Sequence, residues 1–407
     1  MNRLAGMAAA GLTLGLAWAA SAAAADGENA VWHFGGYYKT YLLAFQAGAG
    51  TAPEGEATGP FRLKGEWKPA DQVAVTAAYE LSPRITGGTA ALASLPQPDA
   101  AAYRAADLAA GLYPAPGDPV ANFVLTQNLD RASVALSFGF GDLTLGRQPV
   151  AFGSAKAVNP TDVLAPFTYQ TIDKEERTGV DAVRFRTPLG EMGEADAGWV
   201  FGRDAKYKNS AWFVKPKVYI LETDASLLLL KFRDHGLLGL DLARAVGGAS
   251  VWLESAYVFD RLFAGRRAGA DYFRLSAGAD YNLADGWYGF VEYHYNGAGG
   301  SDPAGYPGLF ARDAYTQGSV YLMGRQYLAP GLTVQITPLI SGSAQVLWNL
   351  ADASLLAAPG LTVSLADEVE GRIGGFISLG KNPESGQWLS EFGIYPDLLY
   401  ASLNYYY

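Results

Sequence analysis

The sequence predicts an all-β protein: a transmembrane antiparallel up-and-down β-barrel of about eighteen strands, with long loops at one end and short turns at the other. Three observations predict it. Segments of about ten residues alternate apolar and polar side chains along the chain. The connections between them largely alternate between short and long. The chain also finishes on such a segment, DLLYASLNYYY, with Leu399, Ala401, Leu403, Tyr405 and Tyr407 at every second position and no polar tail after them.

The amino-terminus comes first. MNRLAGMAAAGLTLGLAWAASAAAADGE carries a basic residue at Arg3, an apolar stretch from Leu4 to Trp18 and a run of small residues ending at Ala25. This is the layout of a secretory signal peptide cut after Ala25, which leaves residues 26–407 as one barrel domain. Beyond it, Gly, Pro or a charge interrupts every apolar stretch before it reaches the length of a spanning helix. Yet 50% of the residues are hydrophobic and 13% aromatic, while only 17% are charged, against about 25% in an ordinary soluble domain. That balance suits a protein that faces lipid with strands. Cysteine is absent, which excludes disulfides, thiolate metal sites and a lipidated cysteine. A net charge of −10 argues against a nucleic-acid partner.

The strands follow in order. In FRLKGEWK, Phe61, Leu63 and Trp67 face one way, and Arg62, Lys64, Glu66 and Lys68 the other. VAVTAAYEL sets Val73, Val75, Ala77, Tyr79 and Leu81 against Thr76 and Glu80. VDAVRFR separates Val183 and Phe185 from Arg184 and Arg186, and FVKPKVY, YFRLSAGADY and GFVEYHYN repeat the theme. A soluble β-sandwich alternates too, so the connections decide. Short ones lie near Pro69, Phe140, Glu222, Val246 and Asn282, and long ones span Pro83 to Ala121 and Val150 to Thr178. With Ala298 to Gly324 taken as one long loop, the count is about eighteen, from a first strand near Val31–Phe45 to a last at Leu398–Tyr407. Sixteen is the alternative. Both ends of the chain should lie at the short-turn, periplasmic end, with the long loops extracellular.

A closed barrel explains the terminus, because the last strand must pair with the first and turn its apolar alternation to lipid. It also resembles the signal that outer-membrane barrels present to their insertion machinery, here Leu403, Tyr405 and Tyr407. The opposite strand faces must then line a lumen. The inward set comprises Arg62, Lys64, Lys68, Arg131, Arg184, Arg186, Lys215, Lys217, Arg274 and Arg372 against Glu66, Glu80, Glu194, Asp196, Glu254, Asp280 and Glu292. Such charges can select anions, or form cross-strand ion pairs that stiffen the wall. Both readings stand at this point.

The most distinctive stretch runs from Leu143 to Gly190, with a strand ending at Gln148 and another beginning at Val180. The loop between them is expected to fold inward and narrow the pore. NPTD, from Asn159 to Asp162, is a strong turn-former, and Arg147 and Arg177 could pin the loop through Asp162 or the Glu175–Glu176 pair. A short helix over Asp99–Ala110 could cap the mouth. Metals, cofactors and catalysis are not expected, since the three histidines, His33, His235 and His294, lie far apart in sequence and no phosphate-cradling or metal-ligand spacing occurs. His294 does share a face with Glu292, which alternation alone explains.

GRQPVAFG, NPTDVLAP and RTGVDAVRF, followed downstream by LWNLADASLLAAPGLTVSLAD and SEFGIYP, resemble segments of Gram-negative outer-membrane barrels of the porin-like and alginate-export-like superfamily. The resemblance extends over the larger part of the mature chain in short motifs. It implies a channel permeable to anions or saccharides, with Arg184 and Arg186 in the lumen. The inward carboxylates depart from a purely cationic conduit. The expectation is therefore an outer-membrane channel, a monomer or homo-trimer, for small hydrophilic and conceivably anionic solutes. An exporter of anionic polysaccharide working with periplasmic partners is second, and a plugged structural or adhesive barrel third.

Overall fold

The computed structural model describes residues 32–46, 53–87, 102–115, 122–264 and 270–407. The proposed signal peptide lies outside these residues. The strands, in chain order, are β1 (Trp32–Gln46), β2 (Glu54–Thr58), β3 (Phe61–Ala70), β4 (Val73–Thr86), β5 (Gly111–Tyr113), β6 (Phe123–Phe138), β7 (Gly141–Gln148), β8 (Val180–Leu189), β9 (Gly193–Val200) and β10 (Ala211–Ile220). They continue with β11 (Thr223–Phe232), β12 (His235–Val246), β13 (Ala249–Phe259), β14 (Tyr272–Ala284), β15 (Trp287–Asn296), β16 (Gln326–Thr337), β17 (Ile340–Asn349), β18 (Leu355–Ala366), β19 (Val369–Leu379) and β20 (Asp397–Tyr406).

Two of these twenty, β2 and β5, are short extensions beside the wall. The other eighteen form it, each antiparallel to its neighbours, and β20 closes on β1 with Tyr405 opposite Tyr38 and Leu403 opposite Thr40. Sixteen strands are thereby excluded, because residues 297–325 form one connection between β15 and β16. Gln148 and Val180 bound β7 and β8 as expected. Tight turns join β3 to β4, β6 to β7, β10 to β11, β12 to β13, β14 to β15, β16 to β17 and β18 to β19. The long loops gather at the other end, where β11 and β12 are nonetheless joined by the pair Arg233–Asp234.

The outer surface explains the alternation. Leu227, Leu229, Leu238, Leu240, Val291, Leu361, Ile373 and Leu399 point outward and are exposed. A continuous apolar exterior of this kind is what bilayer hydrocarbon covers. Aromatic residues border it at the turn end (Trp67, Phe138, Tyr219, Tyr281, Trp287) and at the loop end (Trp199, Tyr257, Phe273, Trp348), as in membrane barrels.

Alternation fails where the inner face is also apolar. Leu227–Leu230 and the start of β12 are apolar on both sides, because Leu228, Leu230, Phe232 and Leu237 pack under Phe152, Val163 and Leu164 of the 149–179 connection. A second cluster joins Tyr169 of that connection to Tyr327, Leu347, Leu356, Phe376 and Phe392. The barrel thus holds a hydrophobic core inside its wall. No helix forms over residues 102–110, which instead carry turns and bends; the rest of that expected segment lies outside the described residues.

Candidate pore constriction

The 149–179 connection crosses the lumen and is held by carboxylates projecting inward from the wall. Glu254 of β13 accepts from the backbone N–H and hydroxyl of Thr161 at 2.8 and 2.7 Å, from the N–H of Ala155 at 2.9 Å and from Asn159 Nδ2 at 3.1 Å. Glu292 of β15 accepts from the successive N–H groups of Lys156, Ala157 and Val158, at 2.7, 3.2 and 3.0 Å, and from Trp252 Nε1 at 2.9 Å. Both side chains are fully covered. A loop has no ladder to satisfy its amides, and a buried carboxylate needs several donors, so each solves the other's problem. Gly153 sits at φ +93°, where a Cβ would overlap the Glu254 carboxylate. Asn159 also donates to the carbonyl of Ala155 at 2.9 Å, which closes the turn around Glu254.

Further contacts complete the crossing. Ser154 bonds Asp241, and Lys156 bonds Asp280 and Tyr288. Ser276 donates to the carbonyl of Val158 at 2.6 Å and lies 2.8 Å from His294 Nδ1. The serine and histidine are therefore part of the loop's anchorage. Arg274 reaches the carbonyl of Pro160 at 3.3 Å. Arg177 pairs with Asp162, as the sequence suggested. Burial pushes the Asp162 carboxyl up to about 6, with Arg177 pulling the other way. Arg147 behaves differently from expectation, for it leaves Asp162 alone and instead holds Asp181 at 2.7 Å and Asp107 at 2.8 Å. Its position at the end of β7 puts it beside the start of β8, away from the turn at Asn159.

The returning limb, residues 172–178, lies against β1, β3, β4 and β6 and leaves a cavity of about 350 Å³ lined by Tyr37, Tyr41, Arg62, Glu80, Asp130 and Glu176. Its border is charged. Lys39 bonds Asp173 at 2.6 Å and Glu175 at 2.7 Å. Arg62 bonds Asp130 at 2.8 Å, and Arg131 bonds Asp130 and Glu176. Arg372 reaches Glu175 at 2.8 Å and also Glu370. Burial alone would raise the Glu175 carboxyl, but Lys39, Tyr406 and Arg372 hold it below the ordinary range.

The remaining cations expected in the lumen lie elsewhere on the wall. Arg184 makes a two-pronged pair with Asp196 at 2.9 and 2.7 Å. Arg186 and Lys215 both stand opposite Asp196 in register. Lys217 pairs with Asp224 at 3.1 Å and Lys68 with Glu66 at 2.9 Å, whereas Lys64 is exposed on β3. Lys39, Asp130 and Asp241 were missed by sequence, and Asp173 was visible only as one of the charges of the loop. Of the missed residues, Lys39 alone carried a signal, as a cation at an alternate position between Tyr37 and Tyr41.

No protein-family model matches the chain, and no curated protein matches it. Solved structures do. The chain is similar to Pseudomonas aeruginosa OccK2 (OpdF), crystallised with glucuronate, with TM-score 0.56 and 12% identity over 92% of this chain and 97% of that one. It is similar to Acinetobacter baumannii OccAB2, with TM-score 0.55 and 8% identity over 94% and 99%. It is also similar to P. aeruginosa OpdK, crystallised with vanillate, with TM-score 0.54 and 9% identity over 92% and 98%. At these identities the likeness is one of fold: a closed eighteen-stranded barrel.

Proposed function

We propose that this chain is an outer-membrane channel for diffusion of small hydrophilic solutes. One observation supports the reading: a closed wall with an apolar exterior encloses a charged cavity, left between the 172–178 limb of the crossing connection and the inner face of β1, β3, β4 and β6. The fold shared with OccK2 and OpdK, each crystallised with a small organic acid, supports it. The proposed pore lining is Arg62, Glu80, Asp130, Asp173 and Glu176, which border the cavity, with Lys39, Arg131 and Arg372 pairing to those carboxylates or to Glu175, and Glu254 and Glu292 act by positioning the loop.

The cations here are neutralised by carboxylates, so the passage sorts by size and polarity more than by attraction of anions. This weighs against the anionic-polysaccharide exporter implied by sequence resemblance, since a polymer needs a wide lumen and a net cationic lining. Liposome swelling with the refolded barrel tests the proposal. Monosaccharides and small amino or carboxylic acids should enter, and oligosaccharides should enter far more slowly. Equal rates for long and short saccharides would contradict the narrowed pore.

A further inference from the structure

At the loop end, three elements bring a histidine and two aspartates together. His235 opens β12 after the two-residue turn, Asp260 follows β13, and Asp313 opens the helical turn Asp313–Thr316 within the β15–β16 connection. Their ligand atoms lie within 4.8 Å of one another. His235 and Asp260 are 2% and 5% exposed, too little for water to serve them freely.

The polar groups in this cluster do not satisfy one another. His235 Nδ1 takes the backbone N–H of Arg261 at 3.1 Å, and the same nitrogen lies 2.8 Å from Asp260 Oδ1. A neutral imidazole nitrogen cannot accept one bond and donate the other. Among the described residues, His235 Nε2 is buried without a hydrogen-bond partner, and Asp260 Oδ1 has only the His235 Nδ1 contact. The Arg261 side chain bonds Asp313 from the exposed side.

We propose that His235, Asp260 and Asp313 bind a divalent transition-metal ion, with water completing its coordination. Imidazole with two carboxylates suits zinc and its neighbours, whereas calcium prefers oxygen alone. The ion replaces the Arg261 guanidinium on Asp313 and ties the start of β12 and the end of β13 to the β15–β16 connection.

Zinc titration of the tag-free, refolded full chain by calorimetry tests this. One equivalent should bind, an excess of calcium should leave it in place, and D313N, altered at a partly exposed position, should bind about tenfold or more weakly. H235Q should do the same. R261Q, which removes the competing cation, should bind more tightly than the parent. Absence of zinc uptake by both the parent and R261Q would overturn the proposal, as would uptake unchanged in D313N and H235Q, or calcium binding as well as zinc.

Discussion

At Glu254 a single carboxylate takes four donors from one turn of the crossing connection. Each charge-assisted bond of this kind contributes about 1.5–3 kcal/mol. Glu254→Gln replaces two acceptor positions with an N–H₂ group facing donors, so the loop should loosen while the wall stays folded. Limited proteolysis should then cut near residues 153–162 in the variant and spare the parent; equal resistance would show that Glu292 and the apolar clusters hold the loop unaided. Asp162 makes the docking depend on pH. Its carboxyl titrates at about 6 when docked, against an ordinary 3.8. Because the docked form binds the proton more tightly, this contribution to docking is fully present below the ordinary value and lost as pH rises through about 6. Protease resistance of the loop should therefore be greater at pH 5 than at pH 7.5, and the D162N variant should lack that part of the difference.

Among the elements, β20 shows how a strand can be legible while its partners are not. Alternation at Leu399, Leu403 and Tyr405 identified it, and the need for closure identified β1 as its neighbour. Tyr407 adds contacts that alternation does not encode: its carbonyl accepts from Gly36 N at 3.0 Å, its N–H donates to the Gly36 carbonyl at 3.2 Å, and its hydroxyl donates to the Arg62 carbonyl at 2.8 Å. Deleting Tyr407 should lower the yield of folded barrel, read by heat-modifiable gel mobility, far more than it alters the conductance of the barrels that form. Normal yield would remove the assembly role. Elsewhere the local pattern runs out for a physical reason. Leu227–Leu230 lose their alternation because a loop covers them from inside, and the partners of Glu254 and Glu292 lie as far as 99 and 136 residues away. Arg147 was visible as a strand-end cation, but its choice of Asp181 over Asp162 depends on the β7–β8 pairing.

For the whole molecule, fold class, strand number and the inward course of residues 150–178 could be inferred from period and spacing, whereas net lumenal charge could not. The inward charges left an anion path and a wall stiffened by ion pairs both open; pairing with Asp130, Asp196, Glu176 and Glu370 favours the second. The central claim is a narrow aqueous passage beside a docked loop. Single-channel recording of the refolded barrel in a planar bilayer under a salt gradient tests it most directly. The account predicts small, discrete conductance steps with weak ion selectivity that grow when Glu254 and Glu292 are both changed to Gln. Absence of conductance in both the parent and that double variant would contradict it.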